Sequence, residues 1–170
     1  SEPMFGYVRQ NGIKVYRPQS QSRFLFGGSF KDYYCFGQEQ LPATGDTLFI
    51  TGGEKDVLSL AAHGFPAICF GSETVRIPHR LIKELSQRFQ NIILLYDMDA
   101  TGKKQAIALQ QELAEYNVSR IELPLAGTKQ EKDISDYFRL GHTATEFRRL
   151  MPRPEVRQYT QHKNGQTFKH

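Results

Sequence analysis

The chain of 170 residues lacks any run approaching the roughly 18 to 20 consecutive apolar residues that a membrane span requires. Its N-terminus also lacks the basic-then-apolar layout of a secretory signal. A soluble, cytoplasmic protein with no membrane partner is therefore expected. Cysteine is scarce: Cys35 and Cys69 are the only two, with no Cys-x-x-Cys and no histidine cluster at zinc spacing. That leaves neither a disulfide framework nor a structural zinc site supported, and both thiols are expected reduced and buried. Charge is only mildly one-sided. A net charge of +4 favours polyanionic partners without choosing nucleic acid over any other phosphate-bearing ligand. Repeats and low-complexity tracts are absent. What is present, 39% hydrophobic and 12% aromatic residues, suffices for one buried domain with an appendage and is short for two full domains. The start at Ser1-Glu2-Pro3 and the basic tail lead us to expect a part of a longer protein.

Two textures divide the chain. Residues 1–46 are rich in aromatics, glycine and short polar breaks: Tyr7-Val8-Arg9, Lys14-Val15-Tyr16-Arg17, Phe24-Leu25-Phe26 and Tyr33-Tyr34-Cys35-Phe36. They read as short strands and turns of a small β-rich subdomain, with a type I′ hairpin turn expected at Asn11-Gly12. Residues 47–141 alternate short apolar strands with amphipathic helices, which predicts an α/β domain with a central, mostly parallel four-stranded sheet flanked by helices. The expected strands are Leu48 to Thr51, Ala67 to Phe70, Ile92 to Tyr96 and Val118 to Leu123. The expected helices are Asp56 to His63, Pro78 to Phe89, Lys103 to Tyr116 and Ile134 to Leu140. Residues 142–170 hold a last short helix, opened by a Thr143-to-Glu146 capping box, and a basic extension.

Three acidic turns follow strands in this reading. The strongest is Asp97-Met98-Asp99-Ala100-Thr101-Gly102, directly after Asn91-Ile-Ile-Leu-Leu-Tyr96. A buried strand ending in two carboxylates sets them at the carboxyl edge of the sheet, where open α/β folds bind ligands. Hard carboxylate oxygens beside a glycine turn suit a phosphate-bound Mg²⁺ or Mn²⁺. The plainer alternative is that these acids cap the next helix, yet one cap does not need two acids held against their repulsion. The second turn is Gly52-Gly53-Glu54-Lys55-Asp56. The glycines allow close backbone approach, and amides at a helix start favour an anion, although the charges fit equally well as first-turn residues favoured by the helix dipole. In the third, Lys132-Asp133, the aspartate alone reads as an N-cap, and its place after another strand makes it a candidate for the same edge. Lys55, Lys103, Lys104 and Lys132 are the candidate phosphate partners by proximity.

The order of these motifs resembles the Toprim domain of bacterial primases, primase-helicases, topoisomerases and some nucleases and recombination proteins. The family pattern runs from a strand into Glu-Gly-x-x-Asp, from the next into Asp-x-Asp with a glycine following, and then into an acidic segment. Asp56 matches the close of the first motif, Asp97, Asp99 and Gly102 the second, and Lys132-Asp133 the start of the last as found in phage-type and mobile-element primases. The resemblance implies a DNA primase-like nucleotidyltransferase within a larger primase or primase-helicase, with Asp97, Asp99 and Asp133 holding the metal. It implies nucleoside triphosphates and single-stranded DNA as ligands, a helicase domain or subunit as partner, and Gly52, Gly53, Lys55, Asp56, Gly102, Lys103, Lys104 and Lys132 facing phosphates.

One position departs. Gly52 stands where the family has its glutamate, so the catalytic set becomes Asp97, Asp99 and, if the turn directs it inward, Glu54. Without a substitute the chain would be a silent, nucleic-acid-binding Toprim module. The aromatic segment resembles the one that precedes Toprim in mobile-element primases. There Arg9, Lys14, Arg17, Arg23 and Lys31 would form a basic stacking surface for single strands, with a small aromatic core as the equal alternative. Asp97-Met98-Asp99-Ala100-Thr101 also resembles the Asp-x-Asp-x-Thr pattern of haloacid-dehalogenase-like phosphatases, whose first aspartate is a nucleophile. That family opens its domain with this strand, whereas two strands precede it here.

Overall fold

The structure is a computed structural model that describes residues 2–29 and 33–152. Lys31 and most of the basic extension lie outside the described residues. The N-terminal segment forms a three-stranded antiparallel sheet of β1 (Phe5–Arg9), β2 (Gly12–Tyr16) and β3 (Phe24–Gly28), in that order. The hairpin differs from expectation. Arg9 pairs with Gly12, so the loop is Gln10-Asn11, and neither residue has a positive φ. Ser29 N–H donates to the Asn11 carbonyl at 2.9 Å, which ties the loop to the end of β3 and leaves Gly12 in the ladder.

The second sheet holds β4 (Cys35–Phe36), β5 (Gly45–Thr51), β6 (Ala67–Phe70), β7 (Phe89–Leu95) and β8 (Val118–Arg120) in the order β4-β6-β5-β7-β8. The four expected parallel strands are present. A fifth, β4, runs antiparallel to β6 through Cys35 opposite Phe70, and at two residues it is too short to leave a period in the sequence. Strand β8 ends at Arg120 rather than Leu123. Five helices pack on the sheet: α1 (Glu54–Ala62), α2 (His79–Arg88), α3 (Ala100–Glu112), α4 (Ile134–Arg139) and α5 (Ala144–Leu150). Helix α3 begins three residues earlier than expected and passes into a single 3₁₀ turn, Ala114–Tyr116. Pro78 caps α2 from outside its first turn, and the Thr143–Glu146 capping box at α5 is formed.

Alternation along the strands builds two apolar layers, as expected for a sheet covered on both faces. Leu48, Ile50, Ile68, Phe70, Ile92 and Leu94 point to one side, where Leu81, Ile82 and Leu85 of α2 and Ala106 of α3 meet them. Phe49, Cys69, Ile93 and Leu95 point to the other, against Val57 and Leu60 of α1, Tyr137 of α4 and Phe147 of α5. Each such fully buried side chain contributes on the order of 1.5–3 kcal/mol. The parallel core is thereby the rigid platform on which the strand-end turns sit. Burial keeps both thiols protonated, with Cys35 pushed up to about 12 and Cys69 also well above its ordinary value.

A candidate metal and phosphate site at the carboxyl edge

Register aligns the turns. Thr51 at the end of β5 is opposite Cys69 of β6 and Leu95 of β7, so the residues following all three strands emerge at one level. From β5 the chain turns through Gly52 and Gly53 into α1, which carries Asp56 in its first turn. From β7 it passes Tyr96 into Asp97 and Asp99. After β8 the chain returns to the same edge: Met98 N–H donates to the Lys132 carbonyl at 2.6 Å, and Asp133 starts α4.

Asp56, Asp97 and Asp133 are brought together, each offering a carboxylate oxygen within 4.8 Å of the others. Asp56 and Asp133 are buried, at 5% and 7% exposure. Ser135 Oγ donates to Asp56 Oδ1 at 2.7 Å, Lys55 Nζ to Asp133 Oδ2 at 2.7 Å, and Lys132 Nζ to Asp97 Oδ2 and to Asp99 Oδ2, the latter at 3.4 Å. Burial and then the neighbouring Asp133 charge raise the Asp56 carboxyl well above its ordinary range. Burial also raises Asp97 against the opposing pull of Lys132. Burial works against the Lys132 ammonium, but its bond to Asp97 and the charges of Asp97 and Asp99 outweigh that and hold it above its usual value. Three crowded carboxylates, with Lys55 and Lys132 beside them, make a donor set of hard oxygens that fits a divalent cation.

The expected residues divide in two. Asp97 and Asp133 lie in the acidic group as the sequence implied, and Asp56, expected at the phosphates, joins them. Asp99 is instead the N-cap of α3, accepting from Gly102 N–H at 2.9 Å, and that backbone bond lowers its pKa. Glu54 does turn inward, at 4% exposure, but into the join with the small sheet. Its Oε1 accepts from Lys14 Nζ and from Tyr34 OH, both at 2.7 Å. Gly53 faces open space, while Gly102 is needed for close approach, since a Cβ there would stand 2.2 Å from the Asp97 carbonyl oxygen. Lys103 pairs with Glu122 at 3.2 Å, and Lys104 is exposed on α3.

The basic surface expected on the small sheet is largely occupied. Lys14 is buried, Arg9 pairs with Glu39 at 3.1 Å, and Arg17 donates to the Ser22 carbonyl at 2.9 Å. Phe5, Tyr16 and Phe24 instead stack across the three strands, with centroids 6.1 and 5.2 Å apart. Sequence reasoning missed one acid at this edge. Glu73, three residues after β6, accepts from Asp97 N–H through Oε1 at 2.8 Å, and burial raises its pKa to about 7, aided by the charges of Asp97 and Asp99. The rule that selected the other turns, an acid just after a sheet strand, applies to it equally.

The sequence has a counterpart among known families. The model of the Toprim-like family matches residues 49–138, more than half of the chain. The chain belongs to the Toprim-like family. The Asp97-to-Thr101 turn lies within the matched residues, so the dehalogenase resemblance gives way to the Toprim-like family. No curated protein matches the sequence.

Solved structures share the fold of this Toprim-like chain. The primase fragment of the bacteriophage T7 primase-helicase aligns with a TM-score of 0.57 at 24% identity, covering 86% of this chain and 60% of that one. The E. coli primase catalytic core aligns at 0.65 and 20% identity, over 87% and 50%. A Pseudomonas aeruginosa DNA primase domain aligns at 0.60 and 19% identity, over 81% and 45%. The chain thus spans about half the length of these bacterial primase structures, and what it shares with them at this identity is the Toprim primase fold. Among the described residues no helix is long and apolar enough to cross a membrane.

Proposed function

We propose that this chain is the Toprim part of a DNA primase or primase-helicase, using Mg²⁺ or Mn²⁺ to bring nucleoside triphosphates to a single-stranded DNA template and join them. The observation that carries the reading is the convergence of Asp56, Asp97 and Asp133 from three different strand ends onto one point. A bound divalent ion would supply charge neutralisation at the phosphoryl oxygens and help orient the attacking hydroxyl. Asp56, Asp97 and Asp133 hold it. Lys55 and Lys132, now engaged by those carboxylates, stand beside the place where a triphosphate would lie, and Gly53 leaves the α1 backbone open to it. The stacked Phe5, Tyr16 and Phe24 offer bases a sequence-tolerant platform. Two structural neighbours support the ligand classes: the T7 lagging-strand DNA polymerase has been solved interacting with primase domains, bound to an RNA/DNA hybrid and dTTP, and a primase catalytic domain has been solved bound to single-stranded DNA. In a larger protein the natural partner is a helicase domain or subunit.

The test is calorimetric titration of Mn²⁺ into the parent chain, Asp97→Asn and Asp99→Asn, followed by primer synthesis on a single-stranded oligonucleotide. Saturable binding is expected in the parent and absent in Asp97→Asn. Asp99→Asn, whose amide oxygen can keep the α3 cap, is expected to bind Mn²⁺ and synthesise less. Parent protein that is folded and takes up no Mn²⁺ overturns the metal reading. Mn²⁺ binding without synthesis on any template leaves a silent nucleic-acid-binding module.

A further inference from the structure

Position 52 is where the family motif carries its glutamate, and the structure shows what fills the space. Gly52 is not among the residues with positive φ, so its backbone does not demand glycine. What stands in the way of a side chain is the end of a neighbouring one. A Cβ built at Gly52 would stand 2.7 Å from Glu73 Oε1, 3.0 Å from its Cγ and 3.1 Å from its Cδ. The carboxyl end of Glu73 thus lies where a side chain at 52 would begin.

We infer that Glu73 supplies the first-motif carboxylate that the sequence lacks at position 52, reaching the same place from the end of β6 instead of β5. The inference rests on the metal-site reading above and deepens it. Three observations carry it. The pairing of Thr51 with Cys69 sets the turns after β5 and β6 side by side, so that a side chain from one can occupy the place of a side chain from the other. Glu73 Oε1 accepts from Asp97 N–H at 2.8 Å, which pins the carboxylate on the turn that carries both acids of the second motif. Among the described residues its second oxygen takes no hydrogen bond, which leaves Oε2 for a ligand.

A purely structural role would predict something else. An acceptor for the Asp97 amide can be neutral, and glutamine would serve without repelling Asp97 and Asp99. A carboxylate beside Asp97 and Asp99 is disfavoured by their charges and helped by Lys132, and a bound cation would favour it further. Glycine at 52 and glutamate at 73 then belong together: the glycine leaves the room that the Glu73 carboxyl end occupies.

Swapping the carboxylate back tests this, with Mn²⁺ calorimetry and thermal melting beside primer synthesis as readouts. Glu73→Gln keeps an oxygen for the Asp97 amide and removes the charge. It is expected to melt no lower than the parent in EDTA, to bind Mn²⁺ about 10-fold more weakly or worse, and to lose synthesis. Gly52→Glu alone is expected to melt lower, because two carboxyl groups compete for one space. The double variant Gly52→Glu with Glu73→Ala is expected to recover both Mn²⁺ affinity and synthesis relative to Glu73→Gln. Glu73→Gln that binds Mn²⁺ and makes primer like the parent overturns the inference, and so does a folded double variant that recovers neither. Asp97→Asn separates this from the underlying reading. If it abolishes Mn²⁺ binding while Glu73→Gln does not, the metal site stands and Glu73 falls; a parent that binds no Mn²⁺ removes both.

Discussion

Lys14 and Glu54 are both almost fully buried and 2.7 Å apart, one on a strand of the small sheet and the other at the start of α1. Tyr34 completes the cluster, and burial with its bond to Glu54 raises the phenol far above its usual pKa. Lys14 also lies over the Phe24 ring, 4.5 Å from its centroid. Such a pair adds little stability compared with a well-packed apolar replacement, but losing one member strands the other charge at a cost of about 3–5 kcal/mol. Glu54→Ala is therefore expected to destabilise by about that much in urea unfolding, and Lys14→Met with Glu54→Leu by distinctly less. Mn²⁺ binding per folded molecule should change little in either. Glu54→Ala that stays fully stable but loses Mn²⁺ would return the residue to the metal site. The sequence left the direction of Glu54 open and offered it only as a substitute at the metal site. Its partner was not legible, because Lys14-Val15-Tyr16-Arg17 reads as a basic, aromatic surface and nothing local says that the lysine faces a glutamate 40 residues on.

At the scale of elements, the sequence displayed what has a period or a run. The apolar runs of β5, β6 and β7 announce a sheet buried on both faces, and Ala106, Leu109, Leu113 and Tyr116 mark the face of α3 and its 3₁₀ extension that packs on it. The two-residue β4 and the shift of the hairpin to Gln10-Asn11 were hidden, since both are set by pairing with distant chain. The same holds for the exchange of Asp99 for Asp56 in the acidic group: which acid of a turn faces its neighbours depends on register and on the helix that follows. Here that helix needs Asp99 as its cap. The turn after β7 is held by close backbone contact on both sides. Gly102 lies under the Asp97 carbonyl, and Gly127, at φ +73°, has its Cβ position 2.6 Å from the Met98 carbonyl oxygen. Gly102→Ala is expected to push this turn out of place, destabilising by about 1–3 kcal/mol as overpacking does and weakening Mn²⁺ binding further than Ala substitution at the open Gly53. Equal Mn²⁺ affinities for the Gly102→Ala and Gly53→Ala proteins would show that the turn's close packing does not set the site's geometry.

For the molecule as a whole, the net charge of +4 conceals a local concentration of negative charge at the carboxyl edge, and that concentration sets how stability responds to pH. Asp56, Asp97 and Glu73 all have folded-state pKa values above their ordinary ones, Glu73 at about 7. A carboxyl group shifted up binds its proton more tightly in the folded chain than in the unfolded one. Its contribution is therefore fully present below the unfolded value, near pH 4, and is lost as pH rises through the folded value. Lys55, Lys132 and Ser135 face these groups and temper the loss. Asp99, with its pKa lowered, acts in the opposite sense, but it is far less buried, so solvent screens its effect more strongly. In EDTA, the melting temperature is thus expected to fall between about pH 5 and 8, and Asp97→Asn is expected to flatten that fall by removing one of the buried charges. Mn²⁺ binds the deprotonated carboxylates, so its stabilisation should grow over the same interval. Melting curves of the two proteins across that range, with and without Mn²⁺, check both signs at once. A metal-free parent whose melting temperature rises toward pH 8 would mean that the cluster is already neutralised by its lysines, and the case for a cation there would lose its electrostatic basis.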